Sequence, residues 1–203
     1  GVRLVGVKAR WDCSLGKINS DASALCVIFT DEAGRLYWHR AVGLTGELEE
    51  FSPDGKTLTG GQIKQMLDIL KPLSVPNVVI ETNGVGGFVP AIALKHLKLH
   101  GISVTSDHQT TNKQKRILDA FEAPLSSEFL WAHVSVIEGP AYDQMKEFNP
   151  ALTNQPDDYI DSGAGAIADT PVRIGKVFGN PNMSLMNDWR PSAGVFEVEL
   201  EHS

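Results

Sequence analysis

Four acidic side chains stand at positions where they could bind divalent metal ions. Asp12 and Glu81 each end a β-rich run, LVGVKARWD and VPNVVIE respectively. Asp158 and Asp161 open a late helical segment and, three residues apart, share one helix face. Carboxylate oxygens suit Mg²⁺ or Mn²⁺, and two such ions about 3.5–4 Å apart can promote phosphodiester cleavage. If the two strands are neighbours, the four acids predict a two-metal site at the carboxyl edge of a sheet.

Each acid also has a plainer interpretation when it is taken singly. An acid at a strand end is commonly a turn residue. Asp157 and Asp158 could be helix caps, because the macrodipole favours acids at a helix start by about 0.3–1 kcal/mol each. The run SGAGA at 162–166 makes a weak helix, since glycine costs about 1 kcal/mol relative to alanine. Such small residues predict a helix packed close to the sheet, which would bring its acidic start to the strand-end acids.

The elements that must position these acids follow from the hydrophobic patterns. Three β-rich runs with a Glu-Ala-Gly turn between the last two predict sequential antiparallel strands at 4–12, 23–31 and 35–44. Strands and helices then alternate, which predicts parallel additions and therefore an α/β mixed sheet with helices on both faces. The later expected elements are a loop at 46–61, helices at 61–73, 89–101, 111–124 and 141–150, strands at 75–81 and 102–108, and one or two strands in 128–137.

Composition narrows the classes of protein further. The net charge of −7 argues against a simple nucleic-acid-coating domain, and the longest apolar run, at 24–29, is too short to cross a membrane. Two cysteines match neither a disulfide framework nor a zinc site, which favours a reducing cytosol. A complete P-loop, a dinucleotide-binding glycine motif and a Gly-x-Ser-x-Gly elbow are all missing from the sequence, which argues against the enzymes that use them.

A locally basic segment lies within this acidic chain. Residues 91–118 contain five Lys or Arg and one acid. Lys113, Lys115 and Arg116 open the helix expected at 111–124, which would begin with a Thr or Asn cap. These side chains could contact a phosphate backbone, or they could form an ordinary solvated helix face. Trp38 and Trp131 are predicted to be core residues rather than base-stacking platforms.

Four stretches together resemble the nuclease domain of the large terminase subunit of tailed bacteriophages, in particular the P22-like group that packages DNA by the headful. The resemblance implies a ribonuclease H-like fold of the resolvase type over residues 1–175, followed by a C-terminal extension or tail at 176–203. The stretches are WDCSLGKINSDASALCVIFTDEAGRLYWHRAV (11–42), VVIETNGVGG (78–87), TNKQKRI (111–117) and DDYIDSGAGAIA (157–168).

The resemblance also implies an activity and a set of residues that carry it. The family cleaves concatemeric double-stranded viral DNA with two divalent ions, Mg²⁺ or Mn²⁺, leaving a 5′-phosphate and a 3′-hydroxyl. By position, the implied catalytic metal ligands are Asp12, Glu81, Asp158 and Asp161, with Asp158 favoured over Asp157. The implied DNA-binding residues are Lys113, Lys115 and Arg116.

The resemblance further implies a place in viral genome packaging. The expected partners are double-stranded DNA, the ATPase domain of the same full-length protein, the portal and the small terminase subunit, with no membrane. This chain carries no ATPase motif and is therefore expected to be a domain excised from the DNA packaging motor. The expected location is the host cytoplasm, transiently at the procapsid portal, and not in the virion.

Two other functions remain open at this stage. A Holliday-junction resolvase or transposase-like nuclease would share the fold, and a symmetric dimer that prefers four-way junctions would favour it. A catalytically silent scaffold that binds a portal or motor partner would be favoured by loss of a strand-end acid, whereas all of them are present here. Asp21 is interpreted as a turn residue, and His39 and His108 as structural.

Overall fold

A computed structural model describes residues 2–14, 23–82, 87–169 and 171–173. The interpretation of Asp21 and the predicted extension at 176–203 concern residues outside these ranges. The strands are β1 (Leu4–Asp12), β2 (Ser23–Asp31), β3 (Leu36–Leu44), β4 (Glu50–Phe51), β5 (Leu58–Gly60), β6 (Asn77–Glu81), β7 (Ser103–Asp107), β8 (Leu130–Ala132) and β9 (Val172–Arg173). The helices are α1 (Gly61–Leu70), α2 (Val89–Leu97), α3 (Lys113–Ser126), α4 (Val134–Ile137), α5 (Pro140–Glu147) and α6 (Asp158–Ala168), with a 3₁₀ turn at Lys98–His100.

The main sheet has the predicted mixed character. Strands β1, β2 and β3 pair antiparallel in sequence order. Strand β6 then adds parallel to β1, β7 parallel to β6, and β8 parallel to β3. Within the described residues the strand order is β7-β6-β1-β2-β3-β8, and β9 pairs antiparallel with β1. The α/β prediction of three antiparallel strands followed by parallel strands is confirmed, and the architecture is ribonuclease H-like.

One local prediction is wrong, and another is confirmed for one strand only. The segment at 46–61, expected to be a loop, contains the hairpin formed by β4 and β5, in which Phe51 pairs with Leu58. The segment at 128–137, expected to hold one or two strands and perhaps a hairpin, forms the single short strand β8 and then turns into α4. His133 caps α4, since its side chain accepts a hydrogen bond from the Ser135 backbone amide. This local cap competes with continuation of the strand.

Helices cover both faces of the sheet, as predicted. On one face, Val7, Ala9 and Trp11 of β1 pack in the core that α1 and α2 contribute to. On the other face, residues of β2 and β3 pack against α3 and α6. Because side chains alternate along a strand, Lys8, Arg10 and Asp12 point away from the first core and towards α6. The alternation in β1 therefore delivers a row of polar residues to one face.

Helix α6 lies very close to this polar face. A methyl group at Gly163 would come within 2.8 Å of the Trp38 ring, and one at Gly165 would overlap the Arg10 side chain. The Ser162 hydroxyl donates to the backbone carbonyls of Arg10 (3.1 Å) and Ala24 (3.2 Å). The prediction that the small-residue run permits close packing on the sheet is confirmed.

The two predicted core tryptophans differ. Trp38 is buried beneath α6, as expected, whereas Trp131 is 58% exposed. The prediction for Trp131 is wrong because β8 is the outermost strand on that side of the sheet, paired only through β3 among the described strands. Cys13 and Cys26 are buried free thiols, and they form no disulfide with one another. None of the helices in the described ranges has the length and apolar character needed to cross a membrane.

Candidate active site

Three acids stand in a row at the carboxyl edge of the sheet. Asp12 of β1 is paired in register with Glu81 of β6, and Glu81 with Asp107 of β7. Parallel strands that end together present their last residues at the same edge, so the three side chains are lateral neighbours. Asp12 and Glu81 were predicted to stand side by side. Asp107 was missed, although it ends a β-rich run in the same way as the other two.

The acidic start of α6 is buried against this edge. Asp157, Asp158 and Asp161 are 4%, 9% and 3% exposed. Asp157 occupies the position before the first helical residue, but its side chain makes no capping hydrogen bond. Its Oδ1 instead lies 2.6 Å from Lys113 Nζ. The carboxylate of Asp157 therefore pairs with Lys113 and does not act as an ordinary helix cap.

The predicted basic residues at the start of α3 point in two directions. Lys113 Nζ also lies 3.5 Å from Asp161 Oδ2, and Arg116 Nη2 lies 2.5 Å from Asp161 Oδ1. Arg116 Nη2 is 3.6 Å from Glu81 Oε1 as well. Lys115 faces outward, with its side chain 67% exposed and Nζ 2.6 Å from Asp119 Oδ2.

The start of α3 is fixed by Asn112, whose side chain accepts a hydrogen bond from the Lys115 backbone amide at 3.0 Å. The predicted Thr or Asn cap is thus confirmed as Asn112. Because Lys113 and Arg116 lie three residues apart in the first turn, they share the face that meets α6. Burial lowers the pKa of Lys113, but the hydrogen bond to Asp157 and the charge of Asp161 outweigh it and raise this pKa above its ordinary value.

Arg10 is a site residue that sequence reasoning missed. Its side chain is fully buried, and Nη2 donates to Glu81 Oε2 at 2.9 Å and to Asp107 Oδ2 at 2.7 Å. Its Nη1 pairs with Asp169 Oδ1 at 3.2 Å, just after α6. Burial lowers the Arg10 pKa, but the bonds and charges of these carboxylates raise it overall. The sequence does carry a signal for Arg10. Lys8, Arg10 and Asp12 occupy every second position of one strand, so they share one face of a strand that is buried on both faces.

Lys8, the remaining member of the polar row on β1, binds the C-terminal end of α6. Its Nζ donates to the Ile167 carbonyl oxygen at 2.6 Å. A cation at a helix C-terminus is favoured by the macrodipole. Burial lowers the pKa of Lys8, and the nearby charge of Asp169 partly offsets this effect. Lys8 and Arg10 therefore hold the C-terminal half of α6 on β1, which leaves its acidic start beside Asp12.

The electrostatics around Asp12 connect the four predicted acids. Burial, together with the charges of Glu81, Asp161 and Asp158, raises the pKa of Asp12 to about 7 against the opposing charge of Lys113. Burial and neighbouring negative charge both disfavour the ionised form of this carboxyl. The structure thus brings Asp12, Glu81, Asp158 and Asp161 into one electrostatic neighbourhood.

The chemistry of this donor set fits a hard divalent cation, because every candidate ligand is a carboxylate oxygen. Across residues 2–14, 23–82, 87–169 and 171–173, no three acidic, histidine or cysteine side chains converge closely enough to hold a metal ion as they stand. Lys113 and Arg116 stand among the carboxylates instead. The donor types fit Mg²⁺ or Mn²⁺, and the present arrangement is that of an acid cluster neutralised by basic side chains.

The mixed sheet, its strand order and its buried strand-end acids define an α/β domain of the ribonuclease H-like class. The family model described as "Terminase Bacteriophage T7, Ribonuclease H-like domain" matches residues 14–130, which is more than half of the chain. The chain therefore belongs to this family of terminase ribonuclease H-like domains. The matched range contains Glu81 and the basic start of α3, and it excludes Asp12 and α6.

Among solved structures, the crystal structure of the yeast mitochondrial Holliday junction resolvase Ydc2 is similar to this chain. The similarity covers 80% of this chain and 75% of that chain, with 13% sequence identity and a TM-score of 0.41. A search of curated protein sequences returns no significant match.

Proposed function

We propose that this chain is the DNA-cleaving domain of a phage terminase large subunit, a divalent-metal-dependent endonuclease that cuts concatemeric double-stranded DNA. Membership of the terminase ribonuclease H-like family supports a nuclease-type function. The observation that carries the finer proposal is the in-register pairing of Asp12 with Glu81 beside the buried acids that open α6. The resemblance of the sequence to the P22-like headful-packaging group supports the same role in genome packaging.

In this proposal Asp12, Glu81, Asp158 and Asp161 hold two Mg²⁺ or Mn²⁺ ions. When bound, the ions would supply an activated water and stabilise the leaving oxygen of the phosphodiester. The residues around the acids fix where the carboxylate ligands lie. Arg10 holds Glu81 Oε2 and leaves Oε1 on the side of Arg116. Because burial and neighbouring charges raise the pKa of Asp12 to about 7, its carboxyl must lose a proton near neutral pH before it can bind a cation.

The basic start of α3 is the proposed DNA contact, with Lys113, Lys115 and Arg116 directed to phosphate oxygens. Lys115 is exposed and available for this role, whereas Lys113 and Arg116 must leave the acids first. Such contacts position DNA without reading its sequence.

The other proposed partners are the ATPase domain of the full-length protein, the portal and the small terminase subunit. The proposed location is the host cytoplasm, with transient binding at the procapsid. The same proposal divides the chain into a nuclease domain at 1–175 and an extension at 176–203.

A plasmid-cleavage assay tests this function. Supercoiled plasmid is incubated with the chain and Mn²⁺ or Mg²⁺, and the expected result is nicked and then linear DNA with 5′-phosphate ends. Asp12→Asn and Glu81→Gln should each lower the initial rate by about 100-fold or more, because each removes a ligand charge from the ions. Asp68→Asn is the matched control, since Asp68 is an exposed acid on α1 paired with Lys64.

Two outcomes would overturn the proposal. Cleavage by Asp12→Asn at the wild-type rate would show that the activity does not use this site, or comes from a contaminant. A strong preference for a four-way junction over linear duplex, measured with the same preparations, would assign the domain to the resolvase class instead.

A further inference from the structure

We propose that Arg116 and Lys113 are displaceable counter-ions that occupy the acid cluster when divalent ions are absent, so that metal binding and these ion pairs exclude one another. The inference rests on the proposed function, because it concerns how the same site is loaded. It gives Arg116 and Lys113 two alternating partners, the acids of α6 before metal binding and DNA phosphates after it.

The first observation is that both carboxylate oxygens of Asp161 are already engaged. Oδ1 accepts from Arg116 Nη2 at 2.5 Å and from Arg116 Nε at 3.1 Å, and Oδ2 lies 3.5 Å from Lys113 Nζ. Mg²⁺ requires ligand oxygens at about 2.0–2.1 Å. A guanidinium this close to the same oxygen repels an incoming divalent cation through a weakly screened, buried space. Arg116 must therefore withdraw before Asp161 can act as a metal ligand.

The second observation is that Arg116 also reaches the strand-end acid. Its Nη2 lies 3.6 Å from Glu81 Oε1, while Glu81 Oε2 is held by Arg10. The guanidinium of Arg116 thus spans the space between a residue of α6 and a residue of β6, where the proposed ions would bind. The side chains of Glu81, Asp161 and Arg116 are only 7%, 4% and 10% exposed. Buried carboxylates at this density need a cation, and Arg116 supplies it when metal is absent.

The third observation is that the basic residues in the first turn of α3 are electrostatically unfavourable for the helix itself. Asn112 caps α3, so Lys113, Lys115 and Arg116 all fall in the first turn, and no acid accompanies them there. Cations at a helix N-terminus are disfavoured by the macrodipole, so helix formation alone does not explain three of them. The acids that open α6 face this turn and offset the unfavourable position. Replacement of those contacts by DNA phosphates would offset it equally well.

The fourth observation concerns the remaining hydrogen-bond capacity of Arg116. Its Nη1 is buried and, within the described part of the chain, has no hydrogen-bond acceptor. Arg10 Nε is likewise buried without an acceptor in the described residues, so the two arginines do not differ in this respect. Arg116 also enters from a helix start beside the partly exposed Lys113, rather than from the centre of the sheet. Its position at a helix start, next to the partly exposed Lys113, therefore distinguishes Arg116 from Arg10, which lies within the central strand.

Titration of the full chain with Mn²⁺, followed by calorimetry and by the electron paramagnetic resonance signal of free Mn²⁺, tests the inference without any activity measurement. We expect Arg116→Gln to bind Mn²⁺ at least about tenfold more tightly than wild type, because a cation near the ligands shifts their affinity for positive charge by one or more decades. Lys115→Gln is the matched control, since it removes one charge from the same helical turn but outside the cluster. It should change the affinity less than about twofold, as expected of a solvated charge.

Each other outcome has a definite meaning. Equal tightening in Arg116→Gln and Lys115→Gln would reveal a long-range charge effect and overturn the inference, as would weaker binding by Arg116→Gln. If Arg116→Gln does not fold, Lys113→Gln serves as the second variant, with the same expected direction and a smaller change. Absence of Mn²⁺ binding in every variant would overturn both the inference and the proposed function. If Arg116→Gln binds Mn²⁺ more tightly than wild type but wild type does not cleave plasmid, the inference stands and only the nuclease proposal is overturned.

Discussion

Two groups of acids meet at the carboxyl edge of the sheet, and they are neutralised by different kinds of cation. The inner cluster consists of Glu81, Asp107 and Asp169 around Arg10. Its cation belongs to the central strand β1, is fully buried and lies directly beneath α6. Its acids come from β6, from β7 and from the residue after α6, so a single guanidinium ties three elements to β1.

The outer cluster consists of Asp12, Asp157, Asp158 and Asp161 with Lys113 and Arg116. Here the cations come from a neighbouring helix, and the side chain of Lys113 is 35% exposed. Glu81 belongs to the inner cluster through Oε2 and touches the outer cluster through Oε1. Acids within a few ångströms of one another are thus charge-compensated in two ways. The Arg10 pairs fix the fold, and in our proposal the Arg116 and Lys113 pairs leave their acids open to exchange.

The largest expected effect comes from breaking the inner cluster. Arg10→Met leaves Glu81 and Asp107 without their shared cation, and removal of one partner from a buried pair costs about 3–5 kcal/mol. Arg116→Gln should cost less than half of that, because its cluster keeps Lys113. The free energy of unfolding of metal-free protein, measured in urea, compares the two variants. Equal costs would remove the distinction between the clusters.

A second prediction uses the pH dependence of the outer cluster. Asp12 has a pKa of about 7 in the folded chain against the ordinary 3.8, so the native state binds more protons than the unfolded state between these values. Its contribution to stability is full below about pH 4 and is lost as the pH rises through about 7. We expect metal-free Asp12→Asn to be more stable than wild type at pH 8 by about 2 kcal/mol, a difference that shrinks towards pH 5.

Thermal unfolding of both proteins across this pH range measures the difference. Addition of Mn²⁺ at pH 8 should raise the stability of wild type only, because the variant lacks a ligand charge. A wild-type and Asp12→Asn difference that is independent of pH would contradict the assignment of the titration to Asp12.

The contact between α6 and Arg10 allows a third, smaller test. A methyl group at Gly165 would overlap the Arg10 side chain, so Gly165→Ala should lower the free energy of unfolding by about 1–3 kcal/mol despite the better helix propensity of alanine. Gly87 offers a control, because a methyl group there meets no atom within 4 Å among the described residues. Gly87→Ala should stay within about 0.5 kcal/mol of wild type. Equal stability of the two variants would contradict the close approach of α6.

The smallest effect separates two lysines of the same helical turn. Lys113 pairs with the buried Asp157 and Lys115 with the exposed Asp119. We expect Lys113→Gln to cost about 1 kcal/mol and Lys115→Gln less than about 0.5 kcal/mol, since exposed pairs are weak and are screened by salt. Repeating the urea titrations at high salt should leave the first value largely unchanged. A larger cost for Lys115→Gln would contradict the inward orientation of Lys113.

Much of the fold could be predicted because its signals are local. The alternating runs define β1, β2 and β3, the strand–helix alternation defines the parallel additions, and the position of Asn112 defines the start of α3. Predictions failed where the deciding contact lies elsewhere in the chain or at an edge. Trp131 looks like a core residue by type, but it is exposed because β8 is the outermost strand on its side.

Residue type and spacing were enough to predict that Asp12 and Glu81 end strands, that Asp158 and Asp161 open the late helix, and that the small residues of this helix let it approach the sheet. Those properties depend on residue type and spacing along one segment. The pairing of Arg10 with Glu81, Asp107 and Asp169, and the turn of Lys113 and Arg116 towards the acids, depend on the tertiary structure. Charge pairing depends on which elements meet in space, because a carboxylate attracts any cation within a few ångströms regardless of its distance along the chain.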